Sequence, residues 1–113
     1  MNFSDFIAGM ERWNLRRQGK DATYTLHDGT TATLRIFIRR QRADDLFAAA
    51  FQQDVIGVFN ANEFVAAFPA RITPARFDRV VTPDGRTYSV EESGGAPIIN
   101  PTFFKVLLRG GQQ

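Results

Sequence analysis

Apolar and polar positions alternate with a period of two along much of the chain, and the longest clean run is Thr31 to Arg40. There Ala32, Leu34, Ile36 and Ile38 fall on one side and Thr31, Thr33, Arg35 and Arg39 on the other, with Phe37 the exception. A two-residue period with one apolar side predicts a half-buried strand. Tyr24-Thr25-Leu26 begins a preceding strand, and His27-Asp28-Gly29-Thr30 turns it, Asp-Gly being a favoured turn pair. The same period organises Phe77 to Val90. Asp78, Val80 and Thr82 share a face on one arm, Tyr88 and Val90 on the other, and Pro83-Asp84-Gly85 closes the hairpin. Val55 to Phe59 reads as a short strand. Thr102 to Arg109 reads as a final one, with Phe104, Val106 and Leu108 against Phe103, Lys105 and Leu107. Apolar residues on both faces predict that this last strand lies inside a sheet or packs on a neighbouring chain.

Helical spacing interrupts this pattern in three places. Phe3, Phe6, Ile7, Met10 and Trp13 form one stripe of an amphipathic helix over residues 3–17, with Gly19 as its stop. The stripe is expected to dock on the sheet or on a neighbouring subunit. Leu46, Phe47, Ala50 and Phe51 have helical spacing behind Asp44 and Asp45. Residues 41–53 are thus either a short helix plugging one end of a barrel or a long, mobile excursion that orders against a partner. Asn60 and Glu63 have capping-box spacing ahead of Phe64, Val65 and Phe68, and Pro69 ends that helix. Ser93-Gly94-Gly95-Ala96-Pro97 reads as a flexible connection, and residues 110–113 as a frayed tail.

A chain of 113 residues fits one domain, 1–113, with a β-core over 22–109. The fold class is mainly β: a small β-sandwich or partly closed barrel of about six to seven strands. It carries the N-terminal helix and one or two short peripheral helices. Eleven Phe residues are a large aromatic load for this length, so the surplus beyond the core is expected at a subunit contact. There is no Cys, which leaves no disulfide framework or thiolate metal site. Asp5, Glu11, Arg12, Arg16 and Arg17 in the first twenty residues leave no room for a targeting or membrane-spanning run.

Chemistry is sparse. His27 is the only histidine and sits beside a turn, and Ser4, Ser89 and Ser93 lie in no nucleophile elbow. The adjacent pairs Asp44-Asp45 and Glu91-Glu92 point apart on any regular element, so neither makes an acid/base couple. Gly94-Gly95 leads to a proline-containing loop, not to a phosphate-binding helix. The expectation is a protein that is not an enzyme and takes no cofactor or metal. Net charge is +2, too little for a nucleic-acid grip by itself. Arginines do gather at 35, 39, 40 and 42, and again at 71, 76 and 79. A small barrel with a basic stripe and exposed aromatics would bind single strands, so a nucleic-acid-binding barrel stands as the alternative.

The order of features resembles the head–tail joining proteins of long-tailed phages, the lambda-type attachment family above all. The likeness rests on the helix at Phe3–Trp13, the strand pair at Tyr24–Arg40, the 41–53 excursion, Gly57-Val58-Phe59 and the capped helix at Asn60–Phe68. It continues through the Asp-led hairpin Asp78–Val90, the glycine-rich loop at Ser93–Ala96 and the final Phe104–Gly110. Phe77 departs from it, since the family commonly has Gly before the hairpin Asp. The resemblance implies a monomer in isolation that assembles as a ring at the virion neck, between the portal or connector ring and the tail proteins. Genomic DNA would pass through the channel without sequence-specific binding, and no membrane is involved. Localisation would be the virion, and the host cytoplasm during assembly. A tail-terminator role is the nearest alternative within that class. A ring needs two different patches per subunit. The candidate contact residues are Phe3 and Trp13 on the helix and Leu46, Phe47 and Phe51 on the excursion, with Phe47 and Phe51 as anchors. Arg39, Arg40 and Arg42 would face the channel or an acidic neighbour.

Overall fold

The computed structural model describes residues 3–43, 45–71, 73–94 and 102–112; the side chains of residues 3–8, Glu11 and Gln112 fall outside that description. Two helices and six strands follow in the order α1 (Phe3–Gln18), β1 (Lys20–Thr25), β2 (Thr31–Arg40), β3 (Val55–Asn60), α2 (Ala61–Ala67), β4 (Arg79–Val81), β5 (Thr87–Ser93) and β6 (Phe103–Gln112). The strands close into an antiparallel barrel ordered β1-β2-β3-β6-β5-β4, in which β4 returns to β1. Closure removes every sheet edge, the exposed backbone that an open sheet of this size would otherwise have to protect.

The inward set is the one the alternation defines. Tyr24, Leu34, Ile36, Val80, Tyr88, Val90, Val106 and Leu108 fill the barrel together with Phe59. Register agrees with it: Tyr24 sits opposite Val80, and Val80 opposite Tyr88. Gly57 is small of necessity, because a Cβ there would come within 2.8 Å of Leu108 Cδ1. At one end α2 lowers Phe64 and Phe68 onto Tyr24, with the Tyr24 and Phe64 rings edge-to-face at 5.3 Å. Asn60 caps this helix by accepting the Glu63 N–H at 3.1 Å. The capping box is only half made, since the Glu63 carboxylate turns away and accepts the Arg35 backbone N–H at 2.7 Å.

A second, smaller core lies outside the barrel. Phe37, Ile56, Val58, Phe103 and Leu107 project outward from β2, β3 and β6, and Leu15 of α1 and Phe47 of the 41–54 segment cover them. This explains why β6 is apolar on both faces: it lies between β3 and β5 and is covered on each side by its own chain. The helix docks through Leu15 and not through the end of its predicted stripe, for Trp13 is 55% exposed. Arg35 fastens the helix end, its Nε donating to the Leu15 carbonyl and its Nη2 to that of Arg16, both at 3.0 Å.

Two sequence expectations are corrected, and of the two alternatives for 41–53 the helix is not formed, its described residues making turns. Strand β1 begins at Lys20, four residues before the expected Tyr24, and pairs with β2 from Ile36 outward. Gly110 and Gln112 do not fray: they pair with Tyr88 and Thr87, and φ near +111° at Gly110 accommodates the irregular register there. Most of the glycine-rich connection, 95–101, lies outside the described residues.

Candidate interaction surface

Residues 41–54 behave as a strap whose ends are tied down by buried carboxylates. Asp45 accepts from Arg39 Nη1 and Nη2 at 2.7 and 3.0 Å, from the Arg42 backbone N–H at 2.7 Å and from Lys105 Nζ at 3.3 Å. Burial pushes the Asp45 carboxyl up, but the Arg39 hydrogen bonds, the Arg42 N–H and the charges of Arg39 and Lys105 outweigh it and bring it down to about 2. At the other end Asp54 accepts from Arg109 Nε at 3.0 Å, Arg109 Nη2 at 2.8 Å and the Phe51 N–H at 2.8 Å. There too burial opposes, yet the Arg109 pairing holds the carboxyl below its ordinary range. Between these ties, Glu92 accepts the Ala48 and Ala49 N–H groups, and Gln41 Nε2 donates to the Phe51 and Asp54 carbonyls. A strap without regular structure thereby has its backbone groups satisfied by side chains from β5, β6 and its own start.

The strap sorts its three large apolar side chains. Phe47 turns in and is buried against Phe37 and Leu107, whereas Leu46 and Phe51 stay 64% and 56% exposed. Arg109 lies over the outer Phe51 ring, its guanidinium carbon 4.1 Å from the centroid. Glu91 then bridges two arginines, 3.5 Å from Arg109 and 3.8 Å from Arg76. Arg76 in turn covers Phe77 at 4.9 Å. The result is a continuous row, Phe51–Arg109–Glu91–Arg76–Phe77, with a ring at each end. Phe77 is 68% exposed and has φ of +76°, a left-handed backbone that costs a side-chain-bearing residue energy.

The sequence-derived candidates therefore divide. Leu46 and Phe51 are presented to solvent, and Trp13 is presented on α1 with Arg17 over its ring at 5.2 Å. The Phe3 side chain lies outside the described residues. Phe47 is a core residue of the strap, not a surface anchor, because the outward apolar faces of β2, β3 and β6 must be covered. The Arg39 guanidinium is engaged in holding the strap at Asp45, and the Arg42 backbone N–H bonds the same carboxylate, so the Arg39 charge is matched within the chain. Arg40 alone of that trio is exposed. In the second arginine group Arg71 is drawn to Asp78, while Arg76 and Arg79 are exposed.

Asp78 is the feature that sequence reasoning missed. Its side chain is fully buried and accepts from Tyr24 Oη at 2.8 Å, Arg71 Nη2 at 2.8 Å, and the backbone N–H groups of Ala75 and His27 at 3.0 and 3.1 Å. Burial, then the bond to Asp78, pushes the Tyr24 hydroxyl well above its ordinary range. The signal was present, since a carboxylate sharing a face with Val80 must find partners inside. His27 completes the group from the rim, its Nδ1 3.2 Å from Arg71 Nη1.

At the end of the barrel opposite α2 the interior opens into a cavity of about 170 Å³. Ala22, Ile36, Ile38 and Tyr88 make its floor, and Gln18, Lys20, Thr82, Asp84 and Arg86 its rim. Among the described residues no group of three or more His, Cys, Asp or Glu side chains is placed to hold a metal ion, and no helix is long and apolar enough to cross a membrane. Compared with known proteins, the chain matches no family model, and no curated protein matches it.

Proposed function

We propose that this chain is a structural virion protein that joins the DNA-filled head to the tail by forming a ring at the neck, between the portal or connector ring and the tail proteins. The observation that carries the reading is the row from Phe51 to Phe77: two largely exposed rings, each with an arginine over it, joined through Glu91. Exposed aromatic and arginine side chains are the residue types that anchor protein contacts. Trp13 with Arg17 on α1 repeats the arrangement on another part of the surface. Two unlike patches are what a closed ring requires, because its contacts are heterologous. The sequence layout supports the same class, in which a tail-terminator role is the nearest alternative.

The test is removal of the gene from the phage or prophage that carries it. DNA-filled heads and separate tails should accumulate, and purified protein added to the mixed extract should restore joined particles. Complete particles formed without the protein would overturn the reading. A nucleic-acid-binding barrel is less well supported, because the guanidinium groups of Arg39 and Arg71 are engaged at the buried carboxylates of Asp45 and Asp78. It would require oligonucleotide binding that weakens steeply with salt, with a slope set by Arg76 and Arg79.

A further inference from the structure

We propose that the cavity at the open end of the barrel binds a small organic carboxylate whose body is a single ring or a compact branched chain. The inference goes beyond the neck reading and does not depend on it. It starts from the two tyrosines of the chain, Tyr24 and Tyr88, which both belong to the barrel core. The Tyr24 hydroxyl donates to Asp78 at 2.8 Å. Tyr88 is only 9% exposed, yet its hydroxyl has no hydrogen-bond partner among the described residues. A buried phenol ordinarily finds one. Tyr88 lines the cavity of about 170 Å³, so the open space beside this donor is the cavity itself. Its ring is closely held there, since a Cβ at Gly111 would come within 2.7 Å of Tyr88 Cε1 and 3.1 Å of Oη. A donor fixed in the wall before a ligand arrives lowers the ordering cost of binding.

The rest of the cavity sets the class of ligand. Ala22, Ile36 and Ile38 give it an apolar floor, and a space of this size holds a benzene-sized body, as cavities of roughly 150 Å³ do. The rim is cationic, with Lys20 and Arg86 against the single acid Asp84. That acid is held within the chain, by the Thr82 hydroxyl and by Arg86 Nε at 3.4 Å. Lys20 is exposed and has no ion-pair partner among the described residues. An unmatched ammonium at the mouth, a phenol donor in the wall and an apolar floor fit a molecule that accepts at its head and is apolar in its body. Phosphate has nothing to place on the floor, and an uncharged ring leaves Lys20 unmatched.

The experiment titrates benzoate into the purified full-length chain and follows backbone amide chemical shifts. Shifts centred on Ala22, Ile36, Ile38 and Tyr88 should saturate with a dissociation constant on the order of 1 mM, the range open to so small a ligand. Benzamide, of the same shape without the charge, should bind about threefold more weakly or worse, and Lys20→Gln should weaken benzoate by a similar factor, as for an exposed ion pair. Inorganic phosphate should leave the floor residues unmoved. Tyr88→Phe should weaken benzoate at least about tenfold, the scale of a bond to a charged acceptor. Its urea midpoint should stay at the native value, because the hydroxyl it removes has no partner in the chain. Ala22→Leu, which fills the floor, should abolish binding. The absence of saturable shifts with benzoate up to roughly 20 mM, beyond the weak-ligand range, or native affinity in Tyr88→Phe, would sink the proposal. Gene removal decides the neck reading separately, because it involves no ligand of the isolated chain.

Discussion

Arg39 on β2 and Asp45 on the strap meet in a two-pronged ion pair, with 8% of the arginine side chain and none of the carboxylate exposed. Lys105, itself buried on β6, adds a second cation to the same carboxylate. A planar guanidinium facing both carboxylate oxygens is the geometry in which charge-assisted bonds are strongest. Asp45→Ala would leave two buried cations without this anion. The cost is expected to be roughly 3 kcal/mol, the scale on which a buried pair is broken from one side. Limited proteolysis should then cut within 46–53 while the barrel persists. A variant whose strap resists protease as well as the native chain would refute the role assigned to Asp45.

Acid should release the strap before it unfolds the barrel. The Asp45 carboxyl is lowered from 3.8 to about 2, burial opposing and the Arg39 bonds prevailing. A group depressed in the folded state contributes stability that is fully present above its unfolded value, near pH 4, and is lost as pH falls through 2. That contribution is about 2 kcal/mol by the usual linkage conversion. Asp54 is lowered in the same direction by Arg109, so both ends of the strap weaken together. Hydrogen exchange at the Arg42 amide, which donates to Asp45, should accelerate between pH 4 and 2 beyond the intrinsic pH effect, and Asp45→Asn should remove most of that dependence.

How much of this was legible in the sequence depends on the range of the cause. Local periodicity placed β2 at Thr31–Arg40, the hairpin turn around Gly85 and the inward set from Val80 to Leu108. The Asn60 cap was equally readable, because its partner lies three residues away. The strap was not. Leu46, Phe47 and Phe51 have helical spacing, yet Phe47 is claimed by Phe37 and Leu107, and Asp45 by Arg39 and Lys105. Those partners come from strands whose placement no local pattern specifies, and tertiary packing overrode the spacing. The row from Phe51 to Phe77 was hidden for the same reason: Arg109 and Arg76 meet only through Glu91, once the barrel has closed.

Removing one hydroxyl and removing one carboxylate should differ sharply at the Asp78 hub. Tyr24→Phe deletes a single donor and leaves Asp78 with Arg71 and the Ala75 and His27 N–H groups. A cost of about 1–2 kcal/mol is expected for that one bond to a charged acceptor. Asp78→Ala strands the buried Tyr24 hydroxyl and the Arg71 guanidinium together, and roughly 3 kcal/mol or more should be lost. Combined, the two changes should cost less than their sum, because Tyr24→Phe removes a group that Asp78→Ala would otherwise leave unsatisfied. Chemical denaturation of the three variants measures this directly, and strict additivity would show that the two side chains are not coupled.

Phe47 and Phe51 sit four residues apart on one strap and should respond oppositely to truncation. Phe47→Ala empties the second core between Leu15, Phe37 and Leu107, where 3–5 kcal/mol is the usual order for a buried phenylalanine. The strap would lose the large apolar side chain that it turns inward, so that part of the surface should loosen even where the barrel survives. Phe51→Ser removes a ring that is 56% exposed and touched mainly by Arg109, whose ion pair with Asp54 stays in place. Its effect on the denaturation midpoint should be slight, within about 0.5 kcal/mol, as for ordinary surface changes. Under the neck-ring reading the ranking reverses in function: Phe51→Ser should fold normally yet fail to restore joined particles in the mixed extract. A Phe51→Ser protein that restores joining at the native level would remove this ring from the contact surface, leaving Phe77 as the remaining aromatic anchor of the row.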